Sequence, residues 1–173
     1  MFDPHRYRLQ LASRLTERRG AASLYSTDAS GVGYRVTQRL ERAGNESVDL
    51  STLYLLCLHY RCSLGALVDP YGQRDPGQWA VDAPSMPDFD QSIRLRVRDV
   101  RHELGWGTRR LAAATADERI RPSYLFRVES GEVAGLDALR LAAIADVMGV
   151  SIVDLLPAEL RSPGVERILP PPA

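Results

Sequence analysis

All 22 basic residues of this 173-residue chain are arginine, and none is lysine. A guanidinium stays charged at any physiological pH and presents a planar fork of donors, so it suits phosphate oxygens and the acceptor edge of guanine. The uniform choice of arginine fits a GC-rich genome at least as well as it fits selection for that chemistry, so position carries more information than number. The positions are uneven. Residues 1–42 hold eight arginines against four acids, and residues 43–92 hold two against seven. Residues 93–127 then hold nine against four, and residues 128–173 three against seven, which brings the net charge to zero. A basic stretch followed by an acidic one occurs twice, while the balanced total excludes a globally basic nucleic-acid binder and an acidic tail.

Other reactive side chains offer less. His5, His59 and His102 are scattered and none adjoins a nucleophile motif, and Gly31-Val32-Gly33 lacks both a third glycine and a preceding strand. Cys57-Leu58-His59-Tyr60-Arg61-Cys62 raises the question of a metal, but no fourth ligand is near, and buried thiols are the better reading. Neither catalysis, a metal nor a cofactor is expected. One stretch is chemically odd: Arg121-Pro122-Ser123-Tyr124-Leu125-Phe126-Arg127-Val128-Glu129-Ser130-Gly131 places a carboxylate near the apolar side of a segment that elsewhere carries arginine.

These side chains need elements to hold them, and periodicity supplies helices with no alternating strand pattern beside them. In the second half, apolar residues recur at helical spacing over about 91–104, 108–116, 120–130, 136–148 and 151–156. The first of these turns Ile93, Val97, Val100 and Leu104 inward and leaves Arg94, Arg98 and Arg101 elsewhere on its circumference. Thr108 is placed to cap the second and Ser151 the last. In the third, Ile120, Tyr124, Leu125 and Val128 form the buried stripe, Pro122 suits the first turn, and Gly131 ends it.

The first half repeats the second. A shift of 88 positions lays Arg39, Glu41, Asp49, Leu53, Ser63 and Leu67 on Arg127, Glu129, Asp137, Leu141, Ser151 and Leu155, and the apolar positions around them agree. The stretch from Asp69 to Pro87 holds four prolines and is expected to be a linker without regular helix, and the tail ending Pro170-Pro171-Pro172-Ala173 is expected to fray. The expected division is 1–69, a linker at 70–90, 91–157, and a tail at 158–173. The longest apolar run, Leu53 to Leu58, is too short for a membrane span or a secretory signal, which predicts a cytoplasmic protein without a membrane partner.

Three segments of the second half resemble the lambda-repressor/Cro-type (XRE-like) helix-turn-helix family. They are Val97-Arg98-Asp99-Val100-Arg101-His102-Glu103-Leu104-Gly105-Trp106, Leu125-Phe126-Arg127-Val128-Glu129-Ser130-Gly131, and Leu141-Ala142-Ala143-Ile144-Ala145-Asp146-Val147-Met148-Gly149-Val150-Ser151. The first half matches in Arg39-Leu40-Glu41-Arg42-Ala43-Gly44 and in Leu53 through Leu64, while Arg14 through Gly20 fits only loosely and in more than one register. The resemblance implies an all-α chain of two tandem five-helix helix-turn-helix domains joined by a Pro-rich linker.

It implies further that each third helix enters the major groove of double-stranded DNA. The base-facing candidates are then Arg121, Pro122, Ser123 and Phe126 in the second half and Tyr34, Arg35 and Gln38 in the first. Arg127 and Arg39 fall to phosphates, with Thr108, Arg109 and Arg110 adding charge and N–H groups at the start of the second helix. Glu129 is implied to pair with Arg101, while Glu41 has no clear partner beyond Arg14 in one register. Both halves lengthen the turn between second and third helices, through Thr27-Asp28-Ala29-Ser30-Gly31 and Ala116 to Arg119. The expected activity is transcriptional regulation, in the sense of a repressor, with homodimerisation left open. The rival is a protein-interaction module, such as an antitoxin or partner-binding regulator, in which one or both units no longer read DNA.

Overall fold

The computed structural model describes residues 2–21, 32, 34–44, 47–60, 62–69, 86–115, 117–133 and 135–157, with 21, 34 and 86–88 described in their backbone only. They form α1 (Pro4–Ala21), α2 (Tyr34–Glu41), α3 (Leu50–Tyr60), α4 (Leu64–Val68), α5 (Met86–Glu103), α6 (Thr108–Ala114), α7 (Pro122–Glu129) and α8 (Ala138–Met148), followed by a 3-10 turn at Ile152–Leu155. The chain is all-α: extended pairing among the described residues is confined to one antiparallel bridge, Asp49 to Asp137. No helix among them is long and apolar enough to cross a membrane.

Local chemistry sets the ends of these elements. Pro122 occupies the start of α7, where no N–H partner is needed, and Gly131 takes φ +82° just beyond its end, a left-handed conformation that costs glycine nothing. Asp137 caps α8 by accepting the Arg140 N–H at 2.9 Å. Ser151 and Asp154 form a reciprocal capping box on the 3-10 turn, with Val153 N–H donating to Ser151 Oγ at 3.2 Å.

Several positions differ from the sequence-based expectation. Thr108 is the first residue of α6 and Gly107 its N-cap, so the Thr108 hydroxyl does not cap the helix. Arg121 is likewise the N-cap of α7 rather than part of it. Leu104, expected inward, lies past the end of α5 and is 42% exposed, because the turn through Gly105 carries it away from the core face. Arg94, expected to lie away from the core, is 8% exposed: its guanidinium reaches the Val133 carbonyl at 2.6 Å and approaches Asp90 at 3.5 Å. Burial pushes the Asp90 carboxyl up, against the pull of that arginine.

Residues 86–90 are helical, although they fall in the stretch expected to be linker. Pro87 sits in the first turn of α5, where a missing donor breaks no bond. Three turns of α5 then carry Phe89, Ile93 and Val97, all fully buried. Residues 70–85, the Thr27–Gly31 turn and the 158–173 tail lie outside the described residues.

The elements recur at fixed displacements. Tyr34–Glu41 and Pro122–Glu129 are 88 residues apart, as are Leu50–Tyr60 and Ala138–Met148. Pro4–Ala21 and Met86–Glu103, both of 18 residues, are instead 82 apart. The first half therefore has twelve residues between α1 and α2 where the second has eighteen between α5 and α7. This six-residue shortfall is why Arg14–Gly20 fits the resemblance in no single register. Under the 82-residue displacement, buried Tyr7, Leu11 and Leu15 fall on buried Phe89, Ile93 and Val97.

Buried side chains from both halves join in one core cluster. Across it, Tyr54 of α3 stacks on Phe89 of α5 with centroids 4.9 Å apart and planes tilted by 11°. The backbone also crosses: Leu50 N–H donates to the Leu136 carbonyl at 2.8 Å, and Ala138 N–H donates to the Val48 carbonyl at 2.7 Å. Asp137 adds a further tie, because the carboxylate that caps α8 also accepts from Val48 N–H at 3.0 Å and from the Ser47 hydroxyl. On the other side of the bridge, position 135 is a glycine at φ +72° whose added Cβ would stand 2.8 Å from an Asp49 carboxylate oxygen.

Asp137→Ala removes a helix cap and strands the N–H of buried Val48. Together these losses are expected to lower stability by about 2–4 kcal/mol in urea denaturation. A change below roughly 0.5 kcal/mol, the range of ordinary surface substitutions, contradicts the double role.

Candidate nucleic-acid interface

The face of α7 that points away from the core is built by subtraction. Leu125 and Val128 are buried, and Tyr124 is half-buried under the Arg140 guanidinium, 4.8 Å from its ring centroid. What remains outward is Arg121, Pro122, Ser123, Phe126 and Arg127, all exposed. Phe126 is 62% exposed, the most open large apolar side chain among those described. An arginine-flanked aromatic on an eight-residue helix is therefore presented to whatever lies outside.

The helix is held at its angle by a desolvated ion pair. Arg101 donates from Nε and NH2 to the two oxygens of Glu129 at 2.7 and 2.6 Å, and from NH1 to the Trp106 carbonyl at 2.6 Å. The side chains of the pair are 8% and 10% exposed. Glu129's hydrogen bonds hold the Arg101 guanidinium further toward its charged form, against the cost of burial. A bidentate fork of this kind fixes orientation as well as distance, so α7 cannot roll on α5 without breaking both bonds. The glutamate on the apolar side of the helix is thereby accounted for.

The turn before α7 has its own lock. Asp117 accepts from the Arg119 N–H at 2.9 Å and from its guanidinium at 3.1 and 3.0 Å, which holds the Asp117 carboxyl below the usual carboxylate range. Arg121 Nε donates to the Glu118 carbonyl at 3.3 Å. These bonds explain the polarity of Asp117-Glu118-Arg119, which the sequence left as an unexplained lengthening. A shallow open recess of about 400 Å³ separates α6 from α7 and brings Arg109 and Arg121 to one rim, over Ala112, Ile120 and Pro122. Thr108 is half-buried, and Arg110 lies over the Trp106 ring, 4.7 Å from its centroid.

In the first half, α2 presents Arg35, Val36 and Arg39 outward, buries Thr37 and Leu40, and leaves Gln38 half-buried. The Tyr34 side chain lies outside the described residues. The partner of Glu41 is Arg19, with Nε 3.0 Å from the carboxylate, and not Arg14. Arg14 donates instead to the carbonyls of Ala66, at 2.8 Å, and Asp69. Arg19 and Arg101 each stand two residues before the end of an 18-residue helix, so they are equivalent once the 82-residue displacement is used. The first-half pair is more open, with the Arg19 side chain 32% exposed, and holds α2 by one contact where α7 has a fork. Cys57 and Cys62 are buried as thiols and not joined in a disulfide, each 1% exposed in the core.

The two halves thus place α2 and α7 in corresponding positions, each fastened through its last residue to an arginine near the end of the preceding long helix. Comparison of the chain with protein-family models, with curated proteins and with solved structures finds no match, so the meaning of these two surfaces has to come from their own residues.

Proposed function

We propose that the chain is a sequence-specific DNA-binding regulator of transcription, acting as a repressor without catalysis, built from two lambda-repressor-like helix-turn-helix units. In this reading α7 enters the major groove with Arg121, Pro122 and Ser123 toward base edges and Phe126 deeper along. Arg127 meets a phosphate, as do Thr108 and Arg109 at the start of α6. In the first unit, Arg35 and Gln38, with Tyr34, take the base-facing places on α2, and Arg39 the phosphate. The observation that carries it is the outward face of α7, two arginines around an exposed aromatic, held rigid from behind by the Arg101–Glu129 fork. Direct readout needs such a pre-set angle, because bidentate contacts to bases tolerate little misorientation.

Selection from a random duplex pool, followed by salt titration on the winning sequence, tests this. Each phosphate contact lowers log K by about 0.9 per decade of salt. Arg127→Ala is therefore expected to weaken binding across all sequences and to reduce the slope by about one. Arg121→Ala is expected to cost roughly 1–3 kcal/mol and to relax preference at one base pair.

A second reading draws on Phe126, since an exposed aromatic beside arginine is also what anchors a protein interface. Absence of binding to any duplex at low salt would favour that partner-binding role and discard the first.

A further inference from the structure

The two units being in one chain leaves open how they are turned relative to each other, and that orientation decides the arrangement of any paired site. We propose, building on the DNA-reading role above, that one molecule of this chain reads an inverted repeat whose two half-sites differ in sequence.

The bridge between the halves pairs Asp49 with Asp137, which are equivalent residues under the 88-residue displacement, and it is antiparallel. The hydrogen bonds beside it are reciprocal. Leu50 donates to Leu136, and exchanging each residue for its equivalent turns that bond into Ala138 donating to Val48, which is the other bond observed. A contact that maps onto itself when its two sides are exchanged is isologous, the signature of a two-fold axis. A head-to-tail arrangement would join unlike surfaces, and its bonds would have no reciprocal.

The two units are also built alike inside, so that the exchange lays one on the other. Arg14 donates to the Ala66 carbonyl, and its equivalent Arg96 donates to the carbonyl of Asp154, which stands 88 residues beyond Ala66. Across the axis, α5 meets α3 through Phe89 on Tyr54. On the opposite side, α1 packs against α8, and the Phe2 N–H donates to Asp146 at 3.0 Å.

The axis that exchanges the halves also exchanges α2 with α7. Two recognition helices related by a two-fold match a duplex whose half-sites are related by its own two-fold, which is an inverted repeat. The long connection between the units would by length alone admit a direct repeat, but the bridge does not. The helices are not copies, however. Equivalent places hold Arg35 and Ser123, Gln38 and Phe126, and Tyr34 and Pro122, whereas Arg39 and Arg127 agree. Phosphate contacts are therefore shared and base contacts are not. Arg35 and Gln38 suit guanine and adenine, and Phe126 a thymine methyl, so the half-sites are unlike.

The test takes the full chain, selects sites from random 30-bp duplexes, and rebuilds the two half-sites as an inverted repeat, a direct repeat and single half-sites. Affinity is measured by fluorescence anisotropy and stoichiometry by native mass spectrometry. The expected result is one chain per inverted repeat, with the direct repeat at least about tenfold weaker and close to a single half-site. Arg35→Ala is expected to relax base preference at one position of one half-site and Phe126→Ala at one position of the other. Equal affinity for direct and inverted repeats, or two chains on each inverted repeat, overturns the inference while leaving DNA reading intact. Absence of any sequence preference overturns both.

Discussion

Arg101→Ala is expected to lower stability by about 3–5 kcal/mol, because it leaves Glu129 charged and 10% exposed with neither of its two hydrogen bonds. The Trp106 carbonyl loses its donor in the same substitution. The informative comparison is the double variant Arg101→Met with Glu129→Leu, which removes both charges and keeps apolar volume. It is expected to recover most of the lost stability, since the desolvation of a buried pair roughly offsets its attraction. Stability would return without the fork, however, and α7 would then be held by packing alone. If DNA reading depends on the angle of α7, the double variant folds normally by circular dichroism and binds its selected duplex more weakly and with less preference. A double variant that stays as unstable as Arg101→Ala would show that Arg101 acts through Trp106 rather than Glu129.

Phe89→Ala is expected to cost about 3–5 kcal/mol, as for other fully buried aromatics, with the loss of its stack on Tyr54 included. Its distribution matters as much as its size. Phe89 belongs to α5 and Tyr54 to α3, so the cavity opens where the halves meet. Hydrogen exchange is expected to lose protection in both α3 and α5, and far-UV circular dichroism and tryptophan fluorescence in a Trp79→Phe background, which leaves Trp106, are expected to follow one transition. Loss of protection confined to α5 would mean that the halves fold independently and that the stack is incidental.

Much of this was legible in the sequence where a feature is local or repeats. Leu125 and Val128 follow from helical spacing alone, and Ser151 follows from its place before an apolar run, because caps and stripes depend on neighbours within one or two turns. The burial of Cys57 and Cys62 follows from the repeat, because the same shift of 88 positions lays them on the apolar residues Ala145 and Val150. The pairing of Arg101 with Glu129 was visible only through the resemblance, since nothing in the spacing joins residues on different helices.

Other features were out of reach for physical reasons. Phe89 was hidden by the prolines around it, because composition marks Met86-Pro87 as a break although proline is harmless in a first turn. Arg94 was placed outside by its charge, yet its long stem lets the guanidinium reach a carbonyl 39 residues away from a buried position. Arg19 went unrecognised as the partner of Glu41 because the six-residue shortfall breaks the ungapped alignment between α1 and α2. The two-fold relation could not be read at all: a repeat in sequence states that two units are alike and says nothing about how they face.

The covalent join across that axis has a consequence for mass action. A site read by two separate subunits fills with the square of subunit concentration when they associate only weakly, so occupancy collapses steeply on dilution. In this chain both surfaces are carried in fixed orientation by one molecule, through the Asp49–Asp137 bridge and the bonds beside it. If one molecule reads both half-sites as proposed, occupancy at low filling rises in simple proportion to the number of chains, without a threshold. It also frees each half to drift: a substitution in α2 alters one side of the assembly only, where in a symmetric pair every change would be made twice.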